Sequence, residues 1–223
     1  MAMERLQWED LPAAARAAVE QHAGRVVTAH SVGGGARILW RAQAAGWDLL
    51  GYALVWGRHA DYRPGSPDLP LVFDALAKLQ ATPCPGGRVV KRAEDRWAGY
   101  VRGTDIGLLA GDALLHTDLA PHNVLITDRA HLIDWAWPTR GAGWIDPAVW
   151  VLRLMEAGHS ADDADRWAGR VSSWRSAWHE AVAVFSAANA AAWEEIARDD
   201  PQTWKQDMAR HAKAWVRYWE SRA

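Results

Sequence analysis

The sequence predicts an α+β fold with a small N-terminal region that contains strands and a larger, mainly helical C-terminal region. Extended patterns occupy residues 25–32 and 47–56, and a strand-turn-strand pattern follows between residues 113 and 134. Helix signals dominate from Asp146 onward. Half of the 223 residues are apolar, which is enough for a substantial buried core in one large domain or two small ones.

The first half of the chain alternates between helix and strand signals. Strong helix formers over residues 13–22 follow Asp10 and Pro12 and stop at Gly24, which predicts a first helix. A loop rich in Gly, Pro and Asp is expected at residues 57–67. A helix over residues 68–79 then begins at Asp68 and places its apolar residues on one face: Leu69, Val72, Phe73, Leu76 and Leu79.

The second half begins with a hairpin and continues as helices. Residues 124–126 are expected to pair with residues 131–133 across a turn at 127–129. Asp146 with Pro147, and Asp200 with Pro201, are typical of helix starts, and Ser160 with Asp163 forms a capping-box pattern. Asp146 is expected to act as a helix cap rather than as a ligand.

Composition excludes several partners. Lys and Arg number 25 against 27 Asp and Glu, so no basic excess attracts nucleic acid or anionic lipid. No apolar stretch is long enough for a membrane helix, and the N-terminus has no secretion signal. Cys84 is the single cysteine and cannot form an internal disulfide, which favours a reducing, cytoplasmic location.

The residues that indicate chemistry lie between positions 116 and 134. The pattern is H-x-D-x-x-x-x-N, an apolar strand, a turn, a second apolar strand and an Asp. Phosphoryl transfer requires a carboxylate that accepts the proton of the attacking hydroxyl, and oxygen ligands that hold magnesium against the phosphates. Asp118 fits the base, and Asn123 and Asp134 fit the metal ligands. The order of the two motifs around a hairpin makes the signal more specific than either motif alone.

At these residues, and at Gly143-Trp144-Ile145-Asp146-Pro147, the sequence resembles the aminoglycoside phosphotransferase family, a relative of choline kinases and protein kinases. The likeness covers roughly residues 47–160. It implies a protein-kinase-like fold, with a reduced N-terminal nucleotide-binding lobe at residues 1–57 and a C-terminal catalytic lobe at residues 58–223. It also implies ATP or GTP as donor, Mg²⁺, and a hydroxyl on a small, often cationic acceptor. His116 corresponds to the residue that braces the catalytic loop.

The resemblance further suggests where the nucleotide binds. Residues 53–57, including Val55 and Gly57, correspond to the hinge whose backbone bonds the nucleobase. Gly33, Gly34 and Gly35 resemble what remains of a phosphate-covering loop. Because they lack the G-x-G-x-x-G spacing, they are equally typical of a hairpin turn.

The N-terminal lobe departs from the family pattern. The strand lysine that should pair with the phosphates is missing, because the chain's lysines are Lys78, Lys91, Lys205 and Lys213. Between Gly35 and Trp47 only eleven residues remain, and Arg37 and Arg41 are the cations there. An alternative is therefore a degenerate kinase homologue that binds a ligand or partner without turnover. Self-association as a homo-oligomer is expected to cover the shortened lobe.

Other interpretations of the same residues stay open. His116, Asp118 and His122 also suit zinc, although no fourth ligand is evident. The 16 tryptophans are expected to serve as core and groove-lining bulk, with each indole N–H bonded. Acidic residues of the helical tail are expected to solvate helix surfaces or to line a pocket for a cationic acceptor: Glu156, Asp162, Asp163, Asp165, Glu180, Glu194 and Glu195.

Overall fold

The structure is a computed structural model that describes residues 11–23, 38–44, 47–52, 55–85, 90–101 and 103–222. It combines helices with small sheets, which confirms the predicted α+β class. The chain divides into two compact units. The first comprises Met1–Trp56 and Ile133–Ala136, and the second comprises Gly57–Leu132 and Trp137–Ala223.

Within its described residues, the first unit contains a helix and a two-stranded antiparallel sheet. The helix α1 spans Ala13–Ala23 and contacts both strands. Strand β1 (Ile38–Ala44) pairs with β2 (Trp47–Tyr52), with Ala44 opposite Trp47 and Ile38 opposite Tyr52. A register shift between Ile38 and Trp40 interrupts the ladder near one end.

The described part of the second unit contains two small sheets. One has the order β3-β6-β7 and the other the order β4-β8-β5, in which β4 pairs parallel to β8 and the remaining pairs are antiparallel. The strands are β3 (Arg58–His59), β4 (Lys91–Arg92), β5 (Ala113–Leu115), β6 (Val124–Ile126), β7 (Ala130–Leu132) and β8 (Thr139–Gly141).

Helices make up most of the second unit. Short 3₁₀ helices cover Gly103–Leu109 and Pro121–Asn123. The α-helices are α2 (Asp68–Gln80), α3 (Ala93–Trp97), α4 (Ile145–Glu156), α5 (Ala161–Ala168), α6 (Ser172–Arg175), α7 (His179–Asp199) and α8 (Thr203–Glu220). Within the described residues, no helix has the length and the apolar composition that crossing a bilayer requires.

Helix α4 lies at the centre of the core. Nine of its twelve residues are buried, and it contacts α5, α7 and α8. Trp150 and Leu154 of this helix are fully buried, and Trp150 meets the rings of Tyr62 and Trp167 edge to face. A helix held on so many sides is a rigid platform, so side chains that it projects are well fixed in position.

Several predicted elements are confirmed. Helix α1 and helix α2 lie where the sequence places them, and the hairpin β6-β7 has its turn at residues 127–129, with Val124 opposite Leu132. The second strand of that hairpin starts one residue earlier than predicted. The Ser160 hydroxyl accepts a bond of 3.1 Å from the backbone N–H of Asp163, which is the predicted cap of α5.

Other predictions are wrong or lie outside the described residues. Strand β2 ends at Tyr52 rather than at residue 56, and β1 occupies most of the segment that separates Gly35 from Trp47. The predicted loop at residues 57–67 contains β3. The strand predicted at residues 25–32 lies outside the described residues, as does the glycine turn after it.

Some of the described tryptophans are core residues, but Trp56, Trp137, Trp178 and Trp204 are exposed. The indole N–H groups also differ, because some are bonded and others are not. Trp174 donates to Asp165 at 2.9 Å. Among the described residues, the buried indole nitrogens of Trp150, Trp215 and Trp219 have no hydrogen-bond acceptor. At these positions the free energy gained by burying the indole ring therefore exceeds the free-energy cost of burying an N–H group without an acceptor.

We predict that Gly111→Ala lowers the free energy of unfolding by about 1–3 kcal/mol, because overpacking of a rigid site costs that much. A Cβ at Gly111 would lie 2.5 Å from the carbonyl oxygen of Gly141 and 2.7 Å from Cα of Ala142, both of them backbone atoms. Urea unfolding followed by circular dichroism measures the loss. Gly99→Ala is the matched control, since a Cβ there meets no atom within 4 Å; equal stability of the two variants would contradict the prediction.

Candidate active site

The segment from His116 to Asn123 leaves β5 and is held at its start by a buried carboxylate. Asp146, 1 % exposed, accepts hydrogen bonds of 2.8 Å from the backbone N–H groups of both His116 and Thr117. Burial raises the pKa of the Asp146 carboxyl above its usual value, while the two backbone donors and the nearby His116 and Arg96 act in the opposite direction. Asp146 therefore clamps the segment to the beginning of α4.

The backbone of Asp118 is fixed on both sides. Its N–H donates to Nδ1 of His116 at 3.3 Å, and its carbonyl oxygen accepts a bond of 3.3 Å from Nδ2 of Asn123. His116 and Asn123 are themselves buried, at 1 % and 4 % exposure. His116 is thus a buried, hydrogen-bonded histidine that contacts the loop from within. Because both peptide groups of Asp118 are held, the position of its side chain is well defined.

Two residues of the predicted motifs have strained backbones. Thr117 has φ 66° and Asp134 has φ 57°, and these are the non-glycine residues with positive φ in the part of the chain that the structure describes. A positive φ is a genuine outlier for a β-branched residue such as Thr117 and costs about 1–3 kcal/mol. Such strain persists where the surroundings over-determine it, and it clusters at functional sites.

The Asp118 side chain reaches an arginine of α4. Its Oδ1 lies 3.4 Å from Nη2 of Arg153, whose Nη1 contacts Oε2 of Glu156 at 3.0 Å. The Arg153 side chain is 11 % exposed, whereas that of Asp118 is 36 % exposed. Arg153 lies two helical turns after Asp146, so one face of α4 fixes both the backbone and the side chain of the loop.

Asp118 lies in the wall of a cavity of about 670 Å³ that is contained in the second unit. That volume is in the range of small-molecule sites. Among the described residues, the wall is rich in aromatic side chains and carries both signs of charge. It includes Trp97, Tyr100, Trp137, Trp193 and Trp204, together with Arg96, Arg153, Glu156 and Asn189.

Arg96 is the second cation of this cavity. Its Nη1 donates to the carbonyl oxygen of Trp137 at 3.2 Å and to Oγ1 of Thr139 at 3.3 Å. The guanidinium lies 5.2 Å from the ring centre of Trp97 and 5.5 Å from that of Trp137. Burial lowers the pKa of Arg96, and the carboxylates of Asp118 and Asp146 act against that effect. Arg96 therefore shares the electrostatic environment of Asp118.

The remaining predicted site residues are placed as follows. Asp134 is half-buried and follows β7 by two residues, within the segment that belongs to the first unit. Val55 is half-buried in the first unit. Gly57 belongs to the second unit, where a Cβ would lie 2.9 Å from the carbonyl oxygen of Ile126, so close packing against β6 accounts for this glycine. Gly33, Gly34 and Gly35 lie outside the described residues, and so does Arg37.

Asn123 and Asp134 carry the oxygen atoms that the sequence predicts as metal ligands, and they belong to different units. Asn123 offers an amide oxygen, which no donor of the described residues engages, and Asp134 offers a carboxylate; both are hard oxygen ligands of the kind Mg²⁺ prefers. His116, Asp118 and His122 do not form a zinc site: within the described ranges, no three His, Cys, Asp or Glu side chains converge to hold a metal ion.

No protein-family model, curated protein or solved structure matches the chain. Three residues of the candidate site, Asp146, Arg153 and Arg96, have roles that the sequence does not predict. The prediction that Asp146 caps α4 is wrong: the helix has no side-chain cap bond, and the carboxylate instead holds His116 and Thr117. Arg153 and Arg96 carry no local signal beyond the spacing of Arg153 and Glu156 on one helix face.

Proposed function

We propose that this chain is a phosphotransferase of the aminoglycoside phosphotransferase type, with a protein-kinase-like fold, that moves the γ-phosphate of ATP or GTP to a hydroxyl of a small molecule. The observation that carries the proposal is the placement of Asp118. Its backbone is fixed by His116 and Asn123, and its carboxylate faces a cavity of about 670 Å³. A fixed carboxylate at a small-molecule cavity is what a general base requires.

The distribution of backbone strain supports the same site. Positive φ values at Thr117 and Asp134 fall in the two motifs that the sequence singles out independently. Only a few per cent of non-glycine residues adopt such values, so their occurrence in both motifs favours a functional reason.

Asp118 would act on the acceptor in a single displacement. The acceptor hydroxyl oxygen bonds to the γ-phosphorus, the bond from that phosphorus to the bridging oxygen breaks, and ADP or GDP leaves with the bond's electron pair. The hydroxyl proton passes to a carboxylate oxygen of Asp118. Asn123 and Asp134 would hold magnesium, which, when bound, neutralises charge on the transferring group.

The degenerate homologue is the second candidate, and the Arg153 contact favours it. The Arg153 guanidinium lies 3.4 Å from Oδ1 of Asp118 and would compete with an acceptor hydroxyl for this carboxylate. The N-terminal lysine that should pair with the phosphates is missing from the sequence, which also favours a homologue without turnover. In that case the cavity binds a ligand without turnover.

Calorimetric titration with ATP separates the two candidates. We expect ATP to bind in the presence of Mg²⁺ and to bind more weakly in EDTA, because protein side chains and the phosphates of ATP would coordinate the same Mg²⁺ ion. Asp134→Asn should weaken binding of ATP with Mg²⁺ by about tenfold, as expected for loss of one charged metal ligand. The same titration with GTP identifies the donor.

Asp128→Asn is the matched control for this titration. Asp128 is an exposed carboxylate in the turn of the same hairpin, and its bond to the Thr127 hydroxyl is local. Its substitution should leave nucleotide affinity unchanged. Absence of ATP binding by the wild-type protein at millimolar concentration would remove the phosphotransferase proposal and favour the degenerate homologue.

A further inference from the structure

The cavity around Asp118 contains a cation without an acidic partner. Among the described residues, no carboxylate lies within ion-pair distance of the Arg96 guanidinium, which bonds only to the neutral oxygens of Trp137 and Thr139. A planar guanidinium presents five N–H donors that match the oxygens of a carboxylate or phosphate. Arg96 therefore has free bonding capacity towards an oxyanion in the cavity.

The carboxylates of the cavity wall are already engaged. Arg153 contacts Asp118 through Nη2 and Glu156 through Nη1, at 3.4 and 3.0 Å. A polycationic acceptor needs several carboxylates that are free to pair with it. Because Asp118 and Glu156 both contact Arg153, neither carboxylate is free to pair with such an acceptor.

Within the described wall, cations of the protein itself already lie near the rings of four tryptophans, although part of the surface of two of these rings stays exposed. Arg96 lies over Trp97 and Trp137, Arg153 lies 5.5 Å from the ring centre of Trp193, and Lys205 lies 5.3 Å from that of Trp204. A ligand cation would compete with these side chains for the negative ring faces.

Apolar surface remains available for an uncharged ring. Trp137, Ile196 and Trp204 line the cavity and are 59 %, 40 % and 47 % exposed. Flat apolar ligands are typically held by such side chains, with a few polar groups that fix their orientation. Among the residues that the structure describes, the wall therefore provides apolar surface, the Arg96 guanidinium without an acidic partner, and the carboxylate of Asp118.

We propose that the acceptor is a small molecule with a flat apolar body, a hydroxyl and an oxyanion, and that Arg96 binds the oxyanion while the hydroxyl faces Asp118. That the ligand is the phosphate acceptor rests on the proposed function. The preference of the cavity for an anionic ligand does not depend on that function. It assigns Arg96 as a specificity-determining residue and replaces the expectation of a cationic acceptor.

Ligand-observed NMR titrations with three probes test the preference, without nucleotide or metal. The probes are para-hydroxyphenylacetate, para-hydroxyphenylacetamide and tyramine, which share a phenol ring and differ in charge. The carboxylate should bind about tenfold more tightly than the amide, as one charge-assisted pair implies, and tyramine should bind most weakly. Arg96→Gln should reduce the affinity for the carboxylate to that for the amide, and Arg96→Lys should retain part of the preference.

Arg140→Gln is the matched control, because Arg140 lies in β8 outside the cavity wall and pairs with the exposed Asp112. It should keep the wild-type preference. Tyramine binding at least as tight as the carboxylate would overturn the proposal, as would an unchanged preference in Arg96→Gln, or no binding of any probe at millimolar concentration. If the protein prefers the anionic probe but transfers no phosphate, the proposed function is refuted and the anion preference of Arg96 stands.

Discussion

Replacing Asp118 by asparagine should lower the rate of phosphate transfer by about 10²–10⁴-fold, the usual contribution of a general base. Asparagine keeps the shape of the side chain but cannot take the proton of the acceptor hydroxyl. Its amide also removes a charge that faces Arg153 at 3.4 Å. The Asp118 N–H donates to His116, and the Asp118 carbonyl oxygen accepts from Asn123. Neither hydrogen bond involves the side chain of Asp118, so the loop should keep its conformation.

Transfer is measured from γ-labelled ATP with Mg²⁺ to an aminoglycoside, to choline and to para-hydroxyphenylacetate. Because Asp118 acts on the hydroxyl and not on the nucleotide, the affinity for ATP should change little while kcat falls. Asp128→Asn, in the hairpin turn, should behave as the wild type. Equal transfer rates for Asp118→Asn and wild type would remove the assignment of Asp118 as the base.

Replacing Asp146 by alanine should lower the free energy of unfolding by about 2–5 kcal/mol, since two buried N–H groups lose their acceptor. These groups belong to His116 and Thr117, and they bond the carboxylate at 2.8 Å. The strained φ of Thr117 is held in part by this clamp, so its loss should also loosen the segment that carries Asp118. Chemical unfolding followed by tryptophan fluorescence measures the first effect, and amide hydrogen exchange at residues 116–118 measures the second.

Asp162→Ala is the matched control for this experiment. Asp162 is the second residue of α5, as Asp146 is of α4, but it is 53 % exposed and pairs with Arg166 and Arg222 at the surface. Its loss should cost about 0–1 kcal/mol. Asp146→Asn should fall between wild type and alanine, because one amide oxygen can still accept a bond. A loss at Asp146→Ala no larger than at Asp162→Ala would show that the clamp contributes nothing specific.

Local signals in the sequence were sufficient for the mixed α and β class and for the elements whose determinants are adjacent in the chain. The cap of Ser160 on Asp163 spans three residues, and the hairpin turn at 127–129 is set by its own residues and the apolar runs beside it. The same signals singled out His116, Asp118 and Asn123. Side chains that lie at most seven positions apart can be recognised as one loop from spacing alone.

Tertiary packing decided the interactions that turn this loop into a candidate site. Asp146 lies 30 positions from His116, and Arg153 lies 35 positions from Asp118. The neighbouring Pro147 therefore predicts a helix cap at Asp146, although burial against the loop gives this carboxylate a different partner. Periodicity in a sequence specifies which face of an element is apolar, but the register in which buried elements meet depends on the shapes of all the side chains between them. The charge of the cavity wall, set by Arg96 and Arg153, is a result of that packing.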